Sequence, residues 1–377
     1  VSKQEGSSVG VWSLIGVFSM VIPFVALAYY SVIAGWTIDY FLKSVSGVFS
    51  QVDATQSQQI FGGLTGSAST VLLWHALFIL ITALIVSKGL KSGLEKAIKV
   101  LMPGLFLILI ILVISAAVLG EFKLGLNFLF APDFSKLTSE TILMAMGQAF
   151  FSLGVGAGSV MAYGAYMTKD ISIPRTAVVI AGADTLVAIL AGLVIFPFVF
   201  AFGLAPDSGP GLIFITLPIA FGKIPFGEIL GALFFLLLAS ASLTTTLSML
   251  ECITRLVEER TGWKRGRIVT LVAGSSWLIG ILAALSFSSL SSVFPLGMFD
   301  AFAGKTFFDL MDFAVANLLI PLNGLLIVLF AGWVVSNKTS LLEFGDESTL
   351  VYTTWRLIVR FAAPVGIAFI LITGLSS

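Results

Sequence analysis

The chain has 377 residues, of which 58% are apolar and 11% are charged, and its formal net charge is zero. This composition leaves too little polar surface to cover a soluble globule of this size, so the lipid bilayer must act as its solvent. A neutral chain also gives no electrostatic reason to expect a nucleic-acid partner.

Apolar segments long enough to cross about 30 Å of hydrocarbon as helices recur along the whole chain. Because these segments are apolar throughout, they predict helices and disfavour the alternating strands of a membrane barrel. The predicted fold class is therefore an all-α polytopic membrane protein. Its nine predicted spans cover residues 11–42, 70–88, 97–119, 141–166, 177–203, 227–254, 268–288, 313–335 and 355–375.

Basic residues are distributed unequally between the two ends of these spans, which predicts the orientation of the chain. With the N-terminus in the cytoplasm, most of the 20 Lys and Arg residues fall in cytoplasmic loops, as the positive-inside rule requires. Residues 43–69 and 204–228 then form extracellular loops. The second loop is apolar but interrupted by prolines, which predicts a re-entrant or surface helical hairpin rather than a span.

Glycine occupies every second position from Gly154 to Gly158 in the fourth predicted span. Each of these glycines costs a helix about 1 kcal/mol relative to alanine, so the spacing predicts a helix broken near mid-bilayer. Such a break is tolerated where the freed backbone groups line a cavity or bind a ligand. Close helix packing through small residues is the alternative explanation.

The fifth predicted span carries an acidic residue, Asp184, several positions from the nearest loop. A carboxylate at that depth costs about 2.5–3.5 kcal/mol on insertion scales, so it should have a partner. A bound monovalent cation is one such partner. The alternative is a protonated aspartic acid that is hydrogen-bonded to a neighbouring hydroxyl or lies near the cytoplasmic interface.

The sixth predicted span has five hydroxyl side chains between Ser240 and Thr246. Neutral oxygens of this kind suit a sodium ion, which like other hard cations prefers oxygen ligands. The alternative is that each hydroxyl bonds to the carbonyl one turn back along its own helix. Glu251, further along this span, is expected to join a buried hydrogen-bond network.

The remaining residues give little support for catalysis. His75 is the only histidine, and it has neither a Cys or His companion for a metal site nor a serine motif to serve as a base. We therefore expect a protein that is not an enzyme and that has no organic cofactor. The role expected for His75 is packing or an interfacial position.

Six stretches of the chain match, in order, the helices of one transporter family. They are 29–36 (YYSVIAGW) with the family's third helix, 71–78 (VLLWHALF) with the fourth, 147–166 with the broken sixth, 184–197 with the seventh, 241–259 with the eighth and 308–313 (FDLMDF) with the start of the tenth. In these stretches the chain resembles the neurotransmitter:sodium symporter family, specifically its bacterial amino-acid transporters.

The resemblance implies an inverted-repeat fold in which the nine spans are the family's helices three to eleven. Residues 1–377 are then a single transporter domain that is N-terminally truncated, because the family's first and second helices have no counterpart here. The resemblance also implies a bacterial inner-membrane location and co-transport of sodium ions with an amino acid.

Carried over residue by residue, the resemblance also implies a site. Tyr30 would close over the substrate carboxyl group, Phe151 would be the lid, and Asp312 would be the acidic half of the outer gate. Glu259 and Tyr166 would belong to the cytoplasmic gate, although an exposed helix-end charge is the plainer explanation of Glu259. The remaining implied ligands are Ala26, Ser152, Gly154, Ala157, Thr245 and Met249 for the substrate, Ser152 and Asp184 for the first sodium ion, and Ala241, Thr244 and Thr245 for the second.

The expected function is sodium-coupled symport of an amino acid by alternating access. Ala157 is small where some members of the family carry phenylalanine, which implies room for a medium-to-large apolar substrate. Asp184 falls where many members have asparagine, and its carboxylate can replace the chloride ion that some of them need. We therefore expect chloride-independent transport. A transporter-like amino-acid receptor or non-transporting scaffold is the alternative.

Overall fold

The computed structural model describes residues 9–164, 167, 171–206, 209–344 and 349–376, and these are helical over most of their length. Eight long helices are interspersed with shorter ones, four of them before residue 202 and four after residue 226. In chain order they are α1 Val9–Val45, α2 Ala54–Thr65, α3 Ala68–Ser87, α4 Ser92–Leu119, α5 Phe122–Phe130, α6 Ser139–Ser152, α7 Ser159–Gly164, α8 Ile173–Ala201, α9 Gly209–Lys223, α10 Gly227–Thr261, α11 Arg265–Leu285, α12 Phe307–Val334, α13 Asn337–Phe344 and α14 Thr349–Gly374.

Eight of the helices in the described ranges are long and apolar enough to cross a membrane. The remaining predicted span is the fourth, 141–166, and it is divided between α6 and α7. The predicted set of nine therefore corresponds to eight uninterrupted helices and one broken helix. The all-α fold class is confirmed.

Four of the long helices pack against one another, and we call them the packed block. They are α1, α3, α10 and α11. Small residues allow their backbones to approach. A β-carbon added at Gly35 in α1 would lie 2.8 Å from the backbone of Trp74, and one added at Gly280 in α11 would lie 2.7 Å from Nε2 of His75. His75 is fully buried. Of its two expected roles, packing is therefore the one that the structure supports.

A buried ion pair closes the packed block at one end. Glu251 in α10 is 3% exposed and accepts a hydrogen bond from Nη2 of Arg265 at the start of α11. The same guanidinium donates through Nε to the carbonyl of Val86 in α3 at 2.8 Å. The buried network expected around Glu251 is confirmed, and it joins three helices.

Replacing Glu251 by alanine is expected to lower the free energy of unfolding by about 3 kcal/mol, because it leaves a largely buried guanidinium without its main counter-charge. Thermal unfolding in detergent micelles measures the effect. Glu95→Ala is the control, since the Glu95–Lys99 pair is long at 3.8 Å and exposed and should contribute less than about 0.5 kcal/mol. Equal shifts in the two variants would contradict a structural role for the buried pair.

The other helices pack around this block in two groups. α4 and α5 pack against α8, and α14 packs against α12. Nη2 of Arg356 donates to the carbonyl of Val335 at 2.7 Å, and Nε of Arg360 donates to that of Gly332 at 2.8 Å. These carbonyls lie at the end of α12, where helical partners run out, so the two arginines of α14 cap it.

The two predicted loops contain helices of their own. α1 continues to Val45, so that only part of 43–69 is loop, and α2 lies within it. In 204–228 the described residues form the single helix α9, and the expected hairpin is not seen among them. Ser57 of α2 donates to the carbonyl of Ile215 in α9 at 2.7 Å, which joins the two loops at one end of the bundle.

Candidate functional site

The broken helix is the central feature of the candidate site. Residues 153–158, which we call the unwound segment, separate α6 from α7. Gly154, Gly156 and Gly158 have φ angles of +62°, +91° and +84°, in the left-handed region that glycine adopts without steric cost. The glycine spacing therefore predicted the break correctly.

Two of these glycines also allow the unwound segment to touch its neighbours. A β-carbon at Gly156 would lie 2.5 Å from the carbonyl oxygen of Ile320 in α12, and one at Gly158 would lie 2.6 Å from Cβ of Ser19 in α1. At Gly154 an added β-carbon would meet no atom within 4 Å. Close packing, the alternative explanation of the glycines, is thus present together with the break.

The last residue of α6 meets the acidic residue of α8. The hydroxyl of Ser152 donates to Oδ2 of Asp184 at 2.9 Å, and this contact is on an exposed face of the described chain. One of the two interpretations of Asp184 required a hydrogen bond to a neighbouring hydroxyl, and such a hydroxyl is present. The contact also brings together both residues expected at the first sodium site, next to the start of the unwound segment.

Two hydroxyl groups of the sixth predicted span turn towards one carbonyl. Thr244 and Thr245 both donate to the carbonyl oxygen of Ala241, at 2.8 and 3.1 Å. This is the bond to a carbonyl one turn back that the sequence left open as an alternative. The same geometry gathers three oxygen atoms, those expected at the second sodium site, on one side of α10.

The residues expected to line the substrate pocket come from α1, α6, α10 and the unwound segment. Ala26 is buried in the largest apolar cluster, and Tyr30, Ala157 and Met249 pack against that cluster. The hydroxyl of Tyr30 lies 3.5 Å from that of Ser242, at the long limit for a hydrogen bond. Phe151, the expected lid, is 48% exposed at the end of α6.

The gate residues have partners other than the ones that the resemblance implies. The carboxyl group of Asp312 in α12 interacts with the hydroxyl of Tyr29 in α1. Glu259 forms an ion pair with Arg255 one turn earlier, at 2.8 Å, and both are about half exposed. That contact fits the exposed helix-end charge, so a gate role for Glu259 stays a prediction. Tyr166 lies outside the described residues.

Comparison with known proteins identifies the family. The family model described as "Sodium:neurotransmitter symporter family" matches residues 61–377. The chain belongs to this family. Its members are symporters rather than enzymes, which confirms the expectation that the chain is not an enzyme.

Individual proteins are similar over nearly the whole chain. An uncharacterized sodium-dependent transporter of Bacillus subtilis, YhdH, is 36% identical over 95% of this chain and 79% of its own length. An uncharacterized sodium-dependent transporter of Haemophilus influenzae is 30% identical over 97% and 79%. The crystal structure of MhsT in complex with L-phenylalanine superposes with a TM-score of 0.86 at 37% identity, covering 97% of this chain and 81% of MhsT.

Two contacts of this symporter were not anticipated from its sequence. Ser242, which the Tyr30 hydroxyl approaches, lies inside the hydroxyl-rich run, so the run itself was the available signal. The sequence predicted no contact for Tyr29, yet this side chain approaches Asp312 and packs edge-on against Phe308 at 5.5 Å. Successive residues on a helix point in different directions, so Tyr29 and Tyr30 contact different neighbours, in α12 and α10 respectively.

Proposed function

We propose that this chain is a sodium-coupled symporter of a medium-to-large apolar amino acid, working by alternating access and independent of chloride. The observation that carries the proposal is the unwound segment with the Ser152–Asp184 contact at its start. Irregular backbone within a membrane helix frees polar groups for a ligand. A carboxylate beside it supplies the charge that a sodium ion needs.

The substrate would lie between the unwound segment and α1. The backbone at Ser152 and Gly154 would meet its charged end, Tyr30 would close over its carboxyl group, and Phe151 would cover it. Ala26, Ala157, Thr245 and Met249 would border its side chain. Two facts support an apolar amino acid of some size, namely the small side chain at Ala157 and the bound L-phenylalanine of the similar MhsT structure.

The two sodium ions would take the oxygen ligands already described. Ser152 and Asp184 would hold the first ion, and Ala241, Thr244 and Thr245 would hold the second after the two hydroxyls turn their lone pairs towards it. Asp184 supplies a fixed negative charge at the first site. Ala188, one turn further along α8, offers no hydroxyl to chloride. These two features support chloride independence.

We also propose that further groups complete the site from helices preceding residue 1 in the full-length gene product. Ser152 and Asp184 lie on an open face of the described chain, and the similar transporters are longer than the part of them that matches. Asp312 and Glu259 would then find their gate partners there. The expected setting is a bacterial inner membrane with residue 1 on the cytoplasmic side.

Uptake into proteoliposomes that carry the full-length gene product tests the proposed function. Radiolabelled phenylalanine and leucine are expected to accumulate only with an inward sodium gradient, and more strongly than glycine or alanine. Replacing chloride by gluconate is expected to leave the rate unchanged. A preference for glycine or alanine would contradict the proposed substrate class. Sodium-dependent binding without accumulation would favour the receptor or scaffold alternative.

A further inference from the structure

One polar side chain in the middle of α12 touches the unwound segment and has no role in the site described above. Asn323 is fully buried. Its amide nitrogen, Nδ2, donates to the carbonyl of Gly156 at 2.7 Å and to the hydroxyl of Ser19 at 3.2 Å. Burying an amide in a membrane protein costs free energy unless it is hydrogen-bonded, so these two bonds explain why it is tolerated.

The two acceptors belong to different parts of the fold. Ser19 is on α1, in the packed block, whereas Gly156 is in the unwound segment. Gly158 packs directly on Ser19, and Gly156 packs directly on α12. Asn323 therefore stands at a place where α1, α12 and the unwound segment meet, and its two hydrogen bonds cross between them.

The direction of the hydrogen bonds shows what this side chain contributes. Both bonds of Asn323 are donated by Nδ2, and Oδ1 has no donor among the described residues. The amide cannot be reversed without placing Oδ1 against the carbonyl of Gly156, where two acceptors would repel. Donation to the unwound segment is thus its specific contribution, and an aspartate of the same shape would remove that contribution.

We propose that Asn323 is a positioning residue for sodium-coupled transport. It holds the carbonyl of Gly156 beside Ser19 and so keeps the unwound segment, residues 153–158, in its ligand-binding conformation. Without this bond, the sodium ion and the substrate must order the segment themselves, which lowers their apparent affinity. The inference rests on the proposed function, because it concerns the ligands of that same site.

The test compares variants of Asn323 with variants of a second asparagine on the same helix. Asn317 also donates from Nδ2 to a backbone carbonyl, that of Gly374, at 3.1 Å, and this bond joins α12 to α14 and not to the unwound segment. Replacing either residue by aspartate or leucine removes one side-chain donor to a backbone carbonyl. The pair thus separates an effect on the site from a general loss of one interhelical hydrogen bond.

The measurement is the sodium concentration that gives half-maximal binding of radiolabelled phenylalanine to the purified full-length gene product. Asn323→Asp and Asn323→Leu are expected to raise it about fivefold to tenfold, the range that one lost hydrogen bond supports. Asn317→Asp and Asn317→Leu should leave it unchanged. Ser19→Ala, which removes only the longer bond, should raise it less, and it remains informative if the Asn323 variants do not fold.

The outcomes are distinguishable. If the wild-type protein binds phenylalanine in a sodium-dependent manner and the Asn323 and Ser19 variants behave like those of Asn317, the positioning role is wrong and the proposed function stands. If none of the amino acids in the uptake panel shows sodium-dependent binding to the wild-type protein, the proposed function fails and the inference fails with it. A selective rise in the Asn323 variants supports both.

Discussion

Replacing Asp184 by asparagine is expected to weaken sodium activation of substrate binding by about two orders of magnitude. Asparagine has the same shape and can still accept a hydrogen bond from Ser152, so the change removes little more than the charge. A unit charge about 4 Å from a monovalent ion contributes about 4 kcal/mol at an effective dielectric constant of about 20. The amide oxygen of asparagine recovers part of this interaction energy, which leaves a loss of about 10²-fold in the affinity for sodium.

Binding of radiolabelled substrate across a range of sodium concentrations measures the Asp184 effect. The matched control is Asp53→Asn, which makes the same chemical change at the N-cap of α2, where asparagine is an equally good cap. We expect wild-type sodium dependence in the control. If the two variants cannot be distinguished, Asp184 is not a sodium ligand, and its hydrogen bond to Ser152 is only structural.

Replacing Gly156 by alanine is expected to lower the free energy of unfolding by about 3 kcal/mol or more and to abolish substrate binding. Two costs add at this position. A residue with a β-carbon is strained at φ +91° by about 1–2 kcal/mol. The β-carbon would also lie 2.5 Å from the carbonyl oxygen of Ile320, and such overpacking typically costs a further 1–3 kcal/mol, approximately.

Two other glycines separate the two costs of Gly156→Ala. Gly154→Ala meets no atom within 4 Å at a φ of +62°, so it should carry only the strain, about 1–2 kcal/mol. Gly274→Ala, within α11, meets no atom within 4 Å and should be neutral or stabilising by up to about 1 kcal/mol. Thermal unfolding in detergent and sodium-dependent binding are measured for all three. If Gly156→Ala unfolds at the same temperature as Gly154→Ala, the contact with α12 is unimportant.

The features that were predictable from the sequence are those with a local cause. Hydropathy placed the ends of the eight unbroken spans to within seven residues, because a bilayer selects for apolar length alone. The break at Gly154–Gly158 was predictable because the cost of glycine in a helix is a property of each residue and does not depend on distant contacts. The carboxylate of Asp184 was expected to need a partner, because a charge at that depth is expensive whatever surrounds it.

The features that were not predictable depend on contacts between distant parts of the chain. Asn323 and Gly156 are 167 positions apart, and no periodic pattern connects a buried amide to a carbonyl in another helix. The burial of His75 depends on the missing side chain of Gly280 on another helix. The partner of Glu251 could be sought among several arginines, and only the folded chain selects Arg265.

The position of the single cysteine makes it a reporter of motion. Cys252 is 2% exposed, and its thiol lies 3.7 Å from the carbonyl oxygen of Ser19, the residue on which Gly158 packs. A movement that parts the unwound segment from α1 would uncover this thiol to a small maleimide. Cys252 is the only cysteine among residues 1–377, and the rate of its alkylation, compared with and without sodium and substrate, would follow that movement.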